Sequence, residues 1–280
     1  MQKNDSQFAL IALLALTITI LAMLPAFAFA DDDTVVIVER PAKVKIYSSD
    51  YGFDAPSTPF QLGFIGPYQL FKYGVPVYGL RLGILSVSNI RADGLSLATL
   101  YNYQGLGSGI SLAGICNISD TYMKGIAVSI IQNRAGTTME GLQVSALLNF
   151  ARMAMKGIQV TLLSNYVGGP MEGAQLCGIW NTMGSGVGVQ GALIQNVAGG
   201  LVGIQAALVN RNTNQSGIQF GGANFAWENA GGLQLGAYNK TFSLHGFQIG
   251  LVNNAGSVHG AQIGILNFEG GRIRFPILNL

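Results

Sequence analysis

Asparagines at positions 102, 117, 133, 149, 165, 181, 196, 210, 224, 239, 253 and 267 recur every 14 to 16 residues, and no other feature constrains the fold as tightly. Each closes a unit such as Gly141-Leu-Gln-Val-Ser-Ala-Leu-Leu-Asn149 or Gly157-Ile-Gln-Val-Thr-Leu-Leu-Ser-Asn165. Later copies shorten by one residue, as in Gly246-Phe-Gln-Ile-Gly-Leu-Val-Asn253 and Gly260-Ala-Gln-Ile-Gly-Ile-Leu-Asn267. A glutamine stands two places after the repeat glycine in successive copies: Gln143, Gln159, Gln175, Gln190, Gln205, Gln219, Gln234, Gln248 and Gln262. A chain with so fixed a period repeats one small unit, and its core forms only when neighbouring units stack.

Within each unit the periodicity is two. Leu142 and Val144, Ile158 and Val160, and Phe247 and Ile249 alternate with glutamine and small residues, which is a strand pattern. After the asparagine comes a second glycine, as in Asn133-Arg-Ala-Gly136 and Asn196-Val-Ala-Gly199, which reads as turn chemistry. Each repeat is expected to supply one main strand, one turn and a short return segment.

Two all-β architectures fit that unit: a parallel β-solenoid with one repeat per coil, or an antiparallel meander closed into a barrel. Met123-Lys124, Met139-Glu140, Met155-Lys156 and Met171-Glu172 precede successive repeat glycines. Parallel stacking sets these alternating charges beside neutralising neighbours, whereas a meander sends consecutive copies to opposite ends. The solenoid is therefore favoured. The barrel stays open, because apolar alternation in strands of about ten residues with short turns also suits an outer-membrane wall.

The rest of the chain frames the repeats. Lys3, an apolar run from Phe8 to Leu24, Pro25 and Ala28-Phe29-Ala30 read as a secretory signal peptide over 1–30, cleaved after Ala30. Residues 31–78 read as N-terminal capping strands, with Val35 to Glu39 and Lys43 to Tyr47 extended and Pro41, Pro56, Pro59, Pro67 and Pro76 breaking regularity. The tandem repeats run over 79–270, and 271–280 reads as a degenerate closing copy ending at Asn279. Beyond the leader no apolar run is long enough for a transmembrane helix.

The units Gly-x-Gln-Ile-Gly-x-x-Asn at 246–253 and 260–267 resemble the repeats of a bacterial surface-repeat family of exported and lipoprotein chains in Gram-negative envelopes. The segments Pro59-Phe-Gln-Leu-Gly-Phe-Ile-Gly-Pro67, Tyr78-Gly-Leu-Arg-Leu-Gly83 and Phe275-Pro-Ile-Leu-Asn279 are similar to that family's flanks. The resemblance implies export to the cell surface, outer membrane or periplasm of a Gram-negative bacterium, and carries over no catalytic residues. A lipid anchor is not implied at the leader, since no cysteine precedes Cys116.

Candidate chemistry is sparse. With 10% charged residues and a formal net charge of +2, the chain lacks the basic patches of a nucleic-acid binder. Cys116 and Cys177 lie four copies apart, roughly 19 Å in a solenoid, and are expected as free thiols. His245 and His259 are expected to neighbour one another, most simply as surface side chains rather than metal ligands. Gly186-x-Gly188-x-x-Gly191 matches a dinucleotide fingerprint in letters only, since no helix follows it. Trp180, Trp227 and Tyr238 could stack on sugars but are expected to pack. Acidic residues are too dispersed for a glycosidase-like pair.

The glutamine row is the most regular polar feature. It is expected as an outward ladder, or as a flat binding face for an envelope or surface ligand such as a glycan or protein. The expected function is a non-enzymatic exported repeat protein without cofactors, acting through a rigid β surface and with outer-membrane association open to it. An outer-membrane barrel is the alternative, and a β-solenoid enzyme the third reading.

Overall fold

A computed structural model describes residues 52–274 and 277–280. The expected signal peptide, and the strands expected at 35–39 and 43–47, lie outside the described residues.

The described chain is all β and forms a parallel solenoid. Ser86–Ala98 is hydrogen-bonded in parallel to Tyr101–Ala113, and Ser164–Cys177 to Trp180–Ala192, and parallel pairing of this kind joins the coils between them. Register is kept by the repeat itself: Gly157 faces Gly173, Gln159 faces Gln175, and Asn165 faces Asn181. Lys124, Glu140, Lys156 and Glu172 form one column. Their Lys124–Glu140 and Lys156–Glu172 ion pairs measure 3.8 and 3.1 Å. Consecutive copies therefore lie side by side and point the same way, which excludes the antiparallel barrel.

The repeat glycine allows the coils to close. Gly157 has φ +134°, and a Cβ there would overlap the carbonyl oxygen of Gly141 in the coil beneath. An L side chain would meet both the backbone preference and the neighbouring coil. The Asn-x-x-Gly segments differ from the expected turns. Asn165 to Gly168 and Asn181 to Gly184 continue within strands, and from Asn102 to Asn210 the chain bends two to three residues before the asparagine, as at Leu162–Leu163 and Gly178–Ile179. The asparagine turns its side chain into the core instead of closing a local turn, so each coil contains two strand segments rather than one strand and a return.

The core is narrow and largely polar. Met123, Met139, Met155 and Met171 form one buried column, and Ala135, Ala151, Val167, Met183 and Ala198 another. Between them stand buried asparagine and glutamine rows.

The two ends are built differently from the stack. At the start, Gln61 donates from Nε2 to the Phe71 carbonyl at 2.7 Å and accepts from the Phe71 N–H at 2.9 Å, tying the preceding loop onto the first coil. At the other end Gly270 and Gly271 take φ +57° and +76°, and the chain reverses. Arg272–Ile273 and Ile277–Asn279 then pair antiparallel with Ala261–Glu269. The closing segment is thus a folded-back strap, not a further copy. Covering the last coil in this way leaves less open strand edge for other chains to join.

Candidate functional site

The strand alternation settles which side of each residue row faces inward. Gln159, Gln175, Gln190, Gln205, Gln219, Gln248 and Gln262 are fully buried, and Gln143 and Gln234 nearly so. The expected outward orientation of this row is corrected: the glutamines fill the coil interior and offer no binding face. Each donates from Nε2 to Oε1 of the glutamine one coil earlier, over 2.6 to 3.0 Å from Gln159 through Gln262. Asn279 of the strap ends the series, donating to Gln262 Oε1 at 2.9 Å.

The asparagine ladder runs with the opposite polarity. Asn102 Nδ2 donates forward to Asn117 Oδ1 at 3.0 Å, and the same bond repeats without a gap to Asn267 at 2.9 to 3.0 Å. The second Nδ2 hydrogen goes to a backbone carbonyl in the next coil, as from Asn149 to Val160 at 2.7 Å. Because a carbonyl can only accept, that contact fixes which end of each amide is nitrogen. Asn102 Oδ1, at the head of the ladder, has no donor because Val87 occupies its column in the coil before. An amide with its hydrogens and oxygen bonded can be buried without the cost of an orphaned polar group.

Placing the amides inside puts the aliphatic side chains outside. Leu95, Ile110, Ile126, Leu142 and Ile158 form one outward column beside the repeat glycine. Leu97, Leu112, Val128, Val144, Val160 and Leu176 form a second, beyond the glutamine position. A third lies two residues before the asparagine, where Ile131, Ile194, Leu208, Leu251 and Ile265 project. Ile158 is 44% exposed and Leu208 61%. From Leu80 to Ile265 these columns contain no Asp, Glu, Lys, Arg or His. At about 4.8 Å per rung and about 6.6 Å between columns, the wall covers on the order of 1,000 Å². Soluble monomers rarely expose an apolar patch beyond a few hundred Å², which makes this wall the candidate surface.

Polar side chains are confined to the borders and the remaining faces. On one border runs the Lys124–Glu140 and Lys156–Glu172 column. On the other, the residue after each asparagine gives Arg134, Phe150, Tyr166, Arg211, Phe225 and Lys240. There Phe150 and Tyr166 stack at 4.9 Å, Arg134 lies 5.8 Å over Phe150, and Arg211 lies 5.9 Å over Phe225. Trp227 stacks on Phe225 at 5.7 Å, with Lys240 5.6 Å above its ring, and Tyr238 packs against Phe225. Trp180 is not part of this group; it faces Ser164 and Gln195 in another column.

The other sequence candidates are accounted for by position. His245 and His259 stack with centroids 4.9 Å apart and planes 4° from parallel. Their in-plane lone pairs run side by side and do not converge on one ion. Cys116 and Cys177 are free thiols in different columns. Burial pushes the Cys116 thiol up and the Cys177 thiol up to about 11, leaving both protonated and poorly nucleophilic at neutral pH. Gly186, Gly188 and Gly191 lie within the strand Trp180–Ala192, where no helix N-terminus is available to a phosphate. Among the described residues no group of three or more His, Cys, Asp or Glu converges on a metal position.

One charged group is buried that sequence reading missed. Arg81 occupies the glutamine column near its start, facing Ser96, and is 1% exposed. It donates to Ser96 Oγ at 2.9 Å, the Tyr103 carbonyl at 3.2 Å and Gln104 Oε1 at 3.2 Å. Burial pushes its guanidinium down to about 9.

Comparison of the chain with family models, with curated proteins and with solved structures found no match.

Proposed function

We propose that this protein is a structural or binding component of a Gram-negative cell envelope that works through a rigid β surface rather than by bond-making chemistry. The observation that carries the reading is the aliphatic wall, free of charged side chains and backed by amide ladders. The side chains that could perform chemistry are withdrawn or occupied: the thiols are protonated, the imidazoles stack on each other, and Arg81 is enclosed. The signal-peptide pattern and the resemblance of the repeats to a surface-repeat family support the envelope location.

The test is fractionation of a Gram-negative host expressing the full chain, with mass measurement of the product. Recovery in the envelope fraction, with the first residue at Asp31, is the expected result. Retention in the cytoplasm with residues 1–30 intact would contradict the reading.

A further inference from the structure

We propose that the occupant of the aliphatic wall is a lipid bilayer bearing anionic headgroups, on which the solenoid lies flat. The proposal rests on the reading of the wall as the working surface and names what that surface meets. An apolar strip on the order of 60 Å long, bounded on both sides by polar columns, has the amphipathic segregation of an interfacial membrane element. Two shallow aliphatic troughs, of about 610 and 510 Å³, indent the wall near its two ends. The first is lined by side chains such as Leu82, Leu97 and Leu112, the second by Leu235, Ile249 and Ile263. Hydrocarbon chains match this lining, which offers little polar surface to orient a polar ligand.

The borders select the kind of bilayer. In the border row that follows the asparagines, Arg134, Arg211 and Lys240 are interleaved with Phe150, Tyr166 and Phe225, and no acid stands among them from Tyr103 to Phe268. Aromatic rings and long cationic side chains suit the headgroup level, where an apolar body and a wet tip are both accommodated. On the opposite border the lysines are already paired with glutamates. A second copy of the chain could also cover an area near the roughly 800 Å² per partner of a standard interface. It would bring an equal number of cations, however, and no surplus of anions for the row to meet.

The test places a tryptophan on each side of the full chain and reads it with vesicles whose acyl chains are brominated. Leu208→Trp puts the probe on the wall and Met153→Trp puts it away from the wall; both parent side chains are exposed, at 61% and 55%, so neither change disturbs the core. The native Trp180 and Trp227 signal is subtracted using the parent protein. With phosphatidylglycerol-containing vesicles, quenching at least threefold stronger at position 208 than at 153 is expected. Replacing Arg134, Arg211 and Lys240 together by Gln should remove the preference for phosphatidylglycerol over phosphatidylcholine vesicles. Equal quenching at both positions, as anchoring through another segment would give, overturns the proposal. So does a dimer in which the probe at 208 is already shielded before lipid is added. Either failure in a protein correctly exported to the envelope leaves the broader reading standing, whereas cytoplasmic retention removes that reading itself.

Discussion

At the residue scale, the decisive choice is between an amide and a hydrocarbon at alternate positions of the same strand. Gln175 accepts from Gln190, donates to Gln159 at 2.9 Å and donates to the Thr182 carbonyl at 3.2 Å. Gln175→Leu keeps most of the volume but leaves the enclosed Gln159 Oε1 without its donor and one Nε2 hydrogen of Gln190 without its acceptor, while Gln190 keeps its bond to the Val197 carbonyl at 3.4 Å. At about 1–3 kcal/mol per buried orphan, the substitution should destabilise the fold by about 2–5 kcal/mol, measurable by chemical denaturation. Ile158→Gln, on the exposed wall, should change stability by less than about 1 kcal/mol. If Ile158→Gln proves the more damaging of the two, the inside and the outside have been assigned the wrong way round.

Arg81 gives a pH-dependent prediction at the same scale. Its folded pKa of about 9 lies below the ordinary guanidinium value of the unfolded chain, so the unfolded chain binds more protons in between. Stability from this group should therefore rise as pH increases through that window, and its burial penalty should be fully present below about pH 9. Relative to Arg81→Met, the wild type should gain in urea midpoint between pH 8.5 and 10.5. A difference that stays constant over that interval would mean the guanidinium is solvated or paired.

At the element scale, the unit of construction is the whole coil, because every bond of the ladders joins equivalent positions one repeat apart. Deleting residues 157–172 should leave Gln143 facing Gln175 and Asn149 facing Asn181, so both ladders reclose. Deleting only 157–164 would place Asn165 where the repeat glycine belongs and Val167 where a glutamine belongs, and break both. Nearest-neighbour stability predicts a thermal midpoint within several degrees of wild type for the first deletion and loss of cooperative unfolding for the second. Equal tolerance of the two would show that register is not held by the ladders.

The coil was legible in the sequence because period and charge alternation are one-dimensional signals: the alternation of Lys124, Glu140, Lys156 and Glu172 favoured parallel stacking over a meander. The direction of the side chains was not legible from alternation alone, since glutamine and isoleucine alternate equally well whichever of them points inward. The useful signal was variance. The apolar slot accepts Ala174, Val189, Leu233 and Phe247, as an exposed column can, while the glutamine slot stays unchanged from Gln143 to Gln262, as a ladder must. The strap formed by Arg272–Ile273 and Ile277–Asn279 was also hidden, because Asn279 keeps the letter of the repeat while its amide caps the glutamine ladder instead. Arg81 was missed because a charged residue in a strand ordinarily reads as solvent-facing.

At the scale of the whole molecule, the described chain is a solenoid turned inside out relative to an ordinary globular protein. Amides occupy the interior, where they lock each coil to its neighbours, and aliphatic side chains occupy one broad outer face. The two ladders run in opposite directions, so the dipoles of the glutamine and asparagine columns oppose rather than add. An apolar wall backed by hydrogen-bonded ladders follows from that arrangement, and the functional reading follows from the wall. Hydrogen exchange of the side-chain amides, followed by NMR on glutamine- and asparagine-labelled protein, tests this most directly. The account predicts that the amide hydrogens of Gln159, Gln175, Gln190 and Gln205 persist at least a hundredfold longer than those of an exposed glutamine. Exchange of these groups at the rate of free glutamine would place them in solvent and contradict the amide-cored solenoid.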